Sequence, residues 1–185
     1  LSPTNCASAS SSERATRSLR ELATPLLDMS ASLEYLDFQR SLDPFFPAGR
    51  RYYWKSEYLP GIESEVLAKV MEHAARITSP HSAVIVFQLG GSVGRWPSDH
   101  SAVGNRDAGA VLNIAAAWEK ESEDVTQVEW ARSTWRDMRR FSTGGTYVNC
   151  LTEEETGDRL AAAWGKNLAR LAEIIPFARE HGLKV

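Results

Sequence analysis

The sequence predicts an α+β fold, in which helices pack on one face of an antiparallel or mixed β-sheet. Three observations support this prediction. About four short runs have the apolar, aromatic or β-branched content of strands. Helical patterns lie between these runs in an irregular order. These patterns are also long for so few strands, which favours helices that cover a small sheet.

Two helical patterns precede the first strand. A Ser-x-x-Glu capping box at Ser10 and Glu13 begins the first pattern, which Pro25 should end or kink. The second pattern covers 33–42 and stops at an Asp-Pro pair. The first predicted strand, 50–56, is rich in aromatic residues and follows a Pro-Ala-Gly turn.

The middle of the chain carries its clearest patterns. Apolar residues form one stripe along a predicted helix over 62–77. The run 83–89 is almost entirely apolar, which predicts a strand that is buried on both faces or lies at the sheet centre. A loop or short hairpin over 93–106 precedes a third strand at 111–118. Because the strand–helix–strand order around 62–77 also suits a crossover unit, the sheet need not be purely antiparallel.

The last third of the chain returns to helices. A helix is predicted over 125–141, with arginines near its end that complement the helix dipole. Two glycines lead into a fourth strand, predicted over 145–151. A Thr-x-x-Glu capping box then opens a C-terminal helical segment over 152–185, which Gly165 divides.

Composition sets limits on the class of protein. A chain of 185 residues suits a single domain, predicted over 1–185 with 1–12 as a flexible lead-in. A net charge of −3 gives no reason to expect nucleic acid or a membrane as partner. Two cysteines form neither a zinc motif nor a disulfide framework, which suits a reducing, cytoplasmic compartment. Because the chain starts at Leu1, we expect that it was trimmed or is part of a longer chain.

Tyr147 and Asn149 are the first candidates for a functional site. In a strand they share one face, while Cys150 on the other face is expected to be a small buried hydrophobe. A buried phenol and carboxamide need hydrogen bonds, which a neighbouring loop or a ligand could supply. Tyr53 and Lys55 also share a face of their strand, and a substrate-facing surface and a solvated edge strand explain them equally well.

Other polar residues allow two explanations each. Gln39 lines a pocket or is simply exposed on its helix. Arg106 binds an anionic or hydroxyl group of a ligand, or it pairs with Asp107 or Asp99. His100 beside Asp99 has no third ligand nearby in the sequence, so no metal site is predicted.

Five segments follow one another in an order that carries a family resemblance. They are Gly49-Arg-Arg-Tyr-Tyr-Trp-Lys-Ser56, Leu89-Gly-Gly-Ser-Val-Gly-Arg95 with Arg106-Asp107 beyond it, Trp130-Ala-Arg-Ser-Thr-Trp135, Tyr147-Val-Asn149, and Trp164-Gly-Lys-Asn-Leu-Ala-Arg-Leu171. Together they resemble the C-terminal half of FAD-linked oxidases of the berberine-bridge type, over roughly residues 20 to 175. The resemblance implies a substrate domain whose antiparallel sheet roofs the isoalloxazine ring of FAD.

The same resemblance implies roles for the candidate residues. Tyr147 would be catalytic and Asn149 would contact the cofactor. The residues that would contact a small-molecule substrate are Tyr53, Lys55, Gln39 and Arg106. FAD itself would be held mainly by an N-terminal domain, often through a histidine in a glycine-rich motif. This sequence contains neither that motif nor a G-x-G-x-x-G loop.

Two features depart from the family pattern. Cys150 stands where members often carry an aromatic residue, in some a tyrosine proposed as the base, so proton abstraction at that position is in doubt. The family's Asp-Pro-x-Asn-x-Phe terminal segment is also replaced, because this chain ends Ile174-Ile-Pro-Phe-Ala-Arg-Glu-His-Gly-Leu-Lys-Val185.

Two functions therefore remain open from the sequence. The first is the substrate-binding half of an FAD-dependent oxidoreductase that acts on a small-molecule alcohol or amine centre. It would be inactive without an FAD-binding domain, supplied upstream or in trans. The alternative is a stand-alone α+β ligand-binding or interaction protein that has lost the flavin and self-associates, as a dimer, through its sheet face. The sequence upstream of Leu1 would distinguish the two.

Overall fold

The computed structural model describes residues 8–24, 28, 30–155 and 157–183. The chain divides into two compact units, Leu1–Pro47 and Ala48–Val185. The prediction of a single domain over 1–185 stays a prediction. Helix α1, Ala9–Glu21, begins in the first unit after Ser8, whose hydroxyl accepts a hydrogen bond from the Ser11 backbone N–H. The predicted break at Pro25 lies outside the described residues.

The rest of the first unit is short. Helix α2, Tyr35–Arg40, occupies the middle of the second predicted helical pattern. A 3₁₀ turn, Asp43–Phe45, follows with a proline in its first turn, where a missing backbone N–H costs nothing.

The second unit is built on a three-stranded sheet. Its strands are β1 (Arg51–Leu59), β2 (Ala83–Gln88) and β3 (Ala110–Trp118), and their order is β1-β3-β2. Both outer strands pair antiparallel with β3. The predicted α+β class is confirmed, and the described sheet is purely antiparallel. Helix α3, Ser64–Ala74, belongs to the connection that carries the chain from β1 across the position of β3 to β2.

The predicted position of the run 83–89 is wrong. This run forms β2, an edge strand whose Phe87 is 48% exposed, whereas every residue of β3 is buried. An unbroken apolar run indicates that both faces avoid water, but it does not distinguish the centre of a sheet from its edge. The alanine-rich β3, with strands on both sides, is the centre.

The core lies between one face of the sheet and two helices, α3 and α5 (Asp124–Met138). The buried side chains of this core include Leu59, Leu112, Ile114, Trp118, Val66, Val70, Trp130, Ala131 and Met138. The Trp130 indole also donates to the backbone oxygen of His73 at 3.2 Å, which ties α5 to α3. Trp130 therefore lies in the core, as its helical spacing predicts.

The predicted fourth strand, 145–151, is absent from the described structure. The Tyr58 N–H donates to Gly145 O at 3.1 Å, and the Thr143 N–H donates to Tyr58 O at 2.9 Å. Beyond these bonds the chain leaves the sheet edge and forms a 3₁₀ turn, Val148–Cys150. Gly144 has a φ of +94°, which interrupts an extended backbone. The two glycines that suggested a strand start therefore make a turn instead.

The C-terminal helices complete this unit. Helix α6 spans Asp158–Trp164, a 3₁₀ turn covers Gly165–Asn167, and helix α7 spans Leu168–Glu180. The predicted division at Gly165 is confirmed, but α6 begins later than the capping box suggested, and α7 continues through Pro176. A one-turn helix, α4 (Ser92–Arg95), lies in the predicted loop. Among the described helices, none is both long and apolar enough to cross a membrane.

Candidate functional site

The two faces of β1 carry different chemistry. Residues paired across two strands point to the same face, so Ser56, Asn113 and Ile85 lie together. We call this side, which also carries Tyr58 and Val111, the Asn113 face. Tyr53, Lys55 and Glu57 alternate with these residues and point to the helix face, where α3 and α5 pack.

Ser56 connects the Asn113 face to the turn that carries Tyr147. Its hydroxyl lies 2.9 Å from the Thr146 hydroxyl and accepts a hydrogen bond from the Tyr147 backbone N–H at 3.0 Å. The Thr146 hydroxyl also donates to Ser56 O at 3.1 Å. Ser56 and Thr146 are both buried. The backbone of Tyr147 is therefore fixed at the edge of the sheet by two buried hydroxyl groups.

The side chains of Tyr147 and Asn149 are brought together, although not by a strand. The Asn149 amide Nδ2 donates to the Tyr147 phenolic oxygen at 2.9 Å, across the 3₁₀ turn. Both residues are exposed. The sequence left open whether a loop or a ligand satisfies these groups, and here they satisfy one another. The Tyr147 phenol is therefore presented to solvent with a hydrogen-bond donor on its oxygen.

Asn113 is a residue that the sequence analysis missed. It is buried at 8% exposure, and its Oδ1 has no hydrogen-bond partner among the described residues. Most buried polar groups are paired, so the Asn113 acceptor requires a donor from outside the described residues. The sequence does contain one sign of its importance, because Asn113 is the single polar residue in the otherwise apolar run 111–118. Ala115 and Ala117 continue this face with small side chains.

Cys150 lies near Tyr58 and Ser56. The thiol is buried at 3% exposure, which confirms the prediction of a small buried side chain. Burial raises the pKa of the Cys150 thiol, and a hydrogen bond with Ser56 lowers it by less. Burial likewise raises the pKa of the Tyr58 phenol, and the nearby Tyr147 and Cys150 raise it further. At neutral pH this cluster therefore holds its protons.

Tyr53 and Lys55 share a face, as predicted, but it is the helix face. The Lys55 ammonium is 3% exposed, lies 2.6 Å from Glu155 Oε1 and also pairs with Glu154. The Tyr53 hydroxyl donates to Glu154 and accepts from Arg132 Nε at 3.1 Å. A solvated edge strand, one of the two explanations from the sequence, is therefore wrong for Lys55. The substrate-binding role of this pair stays a prediction.

Glu57 is the second buried charge on the helix face. Its carboxylate, 1% exposed, accepts 2.6 Å hydrogen bonds from Arg159 Nη1 and Trp135 Nε1 and a further bond from Ser142. The Arg159 guanidinium also lies 5.0 Å from the Trp135 ring centroid. Because every charge in this network has an opposite charge beside it, the network is suited to holding α6 against β1 rather than to chemistry.

The remaining candidates lie elsewhere. Gln39 is on α2 in the first unit, exposed, and its Nε2 donates to the Tyr35 hydroxyl at 2.6 Å. The Arg106 guanidinium donates to Val93 O at 3.1 Å and to the Ser101 hydroxyl at 2.6 Å. Neither expected carboxylate partner of Arg106 forms an ion pair with it in the described structure. The ligand-binding roles of Gln39 and Arg106 stay predictions.

One histidine of α3, His73, contacts a carboxylate and a hydroxyl group of α5. His73 Nε2 is 3.0 Å from Asp137 Oδ2, and its Nδ1 is 3.3 Å from the Thr134 hydroxyl. Thr134 is fully buried and donates to Trp130 O at 2.8 Å, so no substrate can reach it as a nucleophile. This arrangement therefore stabilises the helix pair. Across the described part of the chain, no group of three or more His, Cys, Asp or Glu side chains is placed to bind a metal ion.

Comparisons with solved structures support the fold assignment. A structure of a BBE-like 1 variant from Physcomitrella patens has a TM-score of 0.71 at 17% identity, over 90% of this chain and 39% of that chain. CrmK, a flavoenzyme of caerulomycin biosynthesis, has a TM-score of 0.69 at 23% identity, over 93% of this chain and 40% of that chain. Chitooligosaccharide oxidase has a TM-score of 0.67 at 13% identity, over 91% of this chain and 40% of that chain.

These similarities establish the fold that the sequence resemblance predicted. The structural neighbours include a flavoenzyme and an oxidase, and the chain has the fold of part of them. It spans about 40% of the length of the three structures described above. No protein-family model matches the chain, and no curated protein matches its sequence.

The described residues fit a flavin at its ring end only. Ala115 and Ala117, 2% and 1% exposed, present no open surface to a ring, whereas the unpaired Asn113 Oδ1 suits a ring N–H. Asn149 adds a second amide at the sheet edge. The diphosphate of FAD is commonly held by a glycine-rich loop at a helix N-terminus, and the sequence has no G-x-G-x-x-G motif.

Proposed function

We propose that this chain is the substrate-binding half of an FAD-dependent oxidoreductase that acts on an alcohol or amine centre of a small molecule. FAD would be held mainly by a separate FAD-binding domain, encoded upstream or supplied in trans. The observation that carries this proposal is the fold shared with flavoenzymes over about nine-tenths of this chain but only about 40% of theirs. The chain alone is proposed to be inactive.

The chain's own residues would bind the flavin ring, accept the substrate proton and position the base. When bound, FAD supplies a hydride acceptor. Asn113 and Asn149 would hold the ring by their amides. Tyr147, as its phenolate, would take the proton of the substrate hydroxyl or amine and become a neutral phenol. The Asn149 amide N–H, which donates to the Tyr147 oxygen at 2.9 Å, would stabilise the phenolate before the proton arrives. Ser56 and Thr146 would keep Tyr147 in position through its backbone.

The first experiment is the intact mass and the visible absorbance spectrum of the natively purified, full-length gene product. A mass well above 20.5 kDa together with flavin bands supports the proposal. A product of this size that stays colourless with added FAD, and also with candidate FAD-binding partner chains, contradicts it. That result would favour the alternative, a ligand-binding or interaction protein that self-associates through its sheet face.

Tyr147→Phe tests the catalytic role in the flavin-loaded protein. We expect turnover of an alcohol or amine substrate to fall by at least about 10²-fold, because a general base typically contributes 10²–10⁴-fold. The flavin absorbance and the melting temperature should not change, since the Tyr147 side chain is exposed. A general base contributes far more than twofold to the rate, so turnover within about twofold of the parent protein would show that Tyr147 is not the base.

A further inference from the structure

A groove that is separate from the Tyr147 site opens where β3 ends and α5 begins. Its volume is about 380 Å³, within the range of roughly 300–1,000 Å³ that is usual for small-molecule sites. Its walls are formed by residues 78–81, 119, 120, 122 and 123 and by Thr126 and Gln127 of α5. Asn113 lies in the middle of β3, whereas the groove lies beyond Trp118, at the end of that strand.

Gln127 is the most informative residue of this groove. It lines the groove and is only 3% exposed. Its Nε2 donates to the Thr78 hydroxyl at 3.0 Å, but its Oε1 has no hydrogen-bond partner among the described residues. A buried acceptor without a donor is destabilising, so Gln127 Oε1 requires a donor that reaches it from the groove, from water or from a ligand.

The other groove residues define the chemistry of that ligand. Ser122 and Thr126 offer hydroxyl groups, which both donate and accept hydrogen bonds. The carboxylates of Glu119 and Glu123 accept hydrogen bonds, and Lys120 donates them.

The groove lining carries two carboxylates, of Glu119 and Glu123, and one ammonium, of Lys120. His81 Nε2 lies 3.3 Å from Glu119 Oε1, so a ring N–H is within reach of this carboxylate. The positive end of the α5 dipole also faces the carboxylates of this region. Such a lining, rich in both donors and acceptors but with little net charge, matches a neutral ligand with many hydroxyl groups.

We propose that this groove binds a neutral polyhydroxylated molecule of monosaccharide size. One ligand hydroxyl donates to Gln127 Oε1, and others bond to the carboxylates and to Lys120. A hydroxyl group also satisfies the Gln127 amide if its oxygen and nitrogen are exchanged, since it can donate or accept. This site does not depend on flavin chemistry, so its test is independent of the test of the proposed function.

The test is a titration of the isotopically labelled 185-residue chain followed by NMR. Three probes are used: D-glucose as the neutral polyol, 1,4-diaminobutane as a cation and inorganic sulfate as an anion. We expect saturable shifts of the Gln127 side-chain amide and of the Ser122 and Thr126 backbone amides with glucose, at a dissociation constant on the order of 1–10 mM. No saturable shift with glucose, or tighter binding of either charged probe, overturns the proposal.

Two variants and a matched control make the test specific. Gln127→Leu removes the buried acceptor, and Thr126→Val removes an exposed hydroxyl of the groove without disturbing the core. Gln127→Leu should weaken glucose binding at least about tenfold, and Thr126→Val should weaken it about threefold. Glu121→Gln changes the same loop outside the groove lining and should leave binding unchanged. If Gln127→Leu does not fold, Thr126→Val decides, and equal affinity in Thr126→Val and Glu121→Gln overturns the proposal.

Discussion

At the scale of single residues, the buried charges on the helix face depend on their partners. Lys55 is 3% exposed and Glu155 is 6% exposed, so each needs the other. Lys55→Met would leave the Glu155 carboxylate buried with only Arg159 Nε, 3.2 Å away, to neutralise it. We expect the free energy of unfolding to fall by about 3–5 kcal/mol, as measured by urea denaturation.

Lys69→Met is the matched control for this prediction. Lys69 forms an ion pair with Glu72 on the surface of α3, where both side chains are partly exposed to water. Exposed pairs contribute little, so this variant should change the free energy of unfolding by less than about 0.5 kcal/mol. Similar losses in the two lysine variants would show that burial of Lys55 does not matter.

Gly109 is fixed by a close backbone contact. A Cβ at this position would lie 2.3 Å from Pro60 O and 3.1 Å from Gly61 Cα. The Gly109 N–H also donates to Leu59 O at 2.9 Å, so the two backbones cannot separate without losing this bond. Gly109→Ala should lower the free energy of unfolding by about 1–3 kcal/mol, which thermal or urea unfolding would detect.

Gly94→Ala serves as the comparison for this glycine. Its added Cβ would be 3.4 Å from Arg106 O, at the edge of ordinary contact, and Gly94 lies inside the one-turn helix α4. We expect a change within about 0.5 kcal/mol. An equal effect at Gly94 and Gly109 would mean that the contact with Pro60 is not the cause.

At the scale of elements, the periodic segments were predictable and the irregular ones were not. The stripe over 62–77 and the runs 83–89 and 111–118 became α3, β2 and β3, because side-chain periodicity reports which face avoids water. The segment 145–151 failed because Gly144 turns the backbone, which an apolar run does not reveal. The order of the strands also depends on pairing between distant residues, which local pattern does not encode.

The residues of the candidate site were also only partly predictable from the sequence. Tyr147 and Asn149 were found because they are close in sequence, and a local turn joins them whether or not a strand forms. Asn113 was missed because its significance comes from Ser56, 57 positions earlier, and from the absence of a donor among the described residues. Lys55 was correctly placed beside Tyr53, but its partners Glu154 and Glu155 come from a distant turn.

The turn that carries Glu154 is sensitive to acid. Burial raises the pKa of Glu154, but hydrogen bonds from Lys55, Tyr53 and Arg132 lower it by more, to about 2. The unfolded carboxyl has a pKa of about 4.3, so its stabilising contribution is complete above that value and is lost as pH falls towards 2. We therefore expect the free energy of unfolding to decrease between about pH 4.3 and pH 2.

Glu154→Gln should flatten this pH dependence, measured by urea unfolding at several pH values between about 2 and 6. Glu153→Gln, at the exposed neighbouring position of the same turn, should retain the slope of the parent protein. A slope in Glu154→Gln as steep as that of the parent would assign the acid sensitivity to other carboxylates.

At the scale of the whole molecule, the described surface carries many exposed large apolar side chains. Helix α7 buries only Ala178, while Ile174 is 49% exposed and Phe177 is 57% exposed. Adjacent exposed apolar side chains bind hydrophobic dyes. The double variant Ile174→Ser/Phe177→Ser should reduce fluorescence of bound anilinonaphthalene sulfonate by about half or more, with a melting temperature that changes little.

Val125→Ser provides the control, since Val125 is 82% exposed at the start of α5. It removes one exposed apolar side chain rather than two near neighbours, so the dye signal should change only slightly. If the serine substitutions on α7 leave the fluorescence unaltered, the dye binds elsewhere and the helix is not the main apolar surface.

The strand order β1-β3-β2 has a consequence for synthesis of the protein on the ribosome. The two outer strands end at Leu59 and Gln88, but the strand that pairs with both begins at Ala110. A growing chain therefore presents two unpaired strands, of which β2 is apolar, until its centre emerges. In this period chaperone binding and misassembly compete with folding. Arrested nascent chains should resist protease only once Trp118 has left the exit tunnel, so this protein acquires its sheet in a single late step.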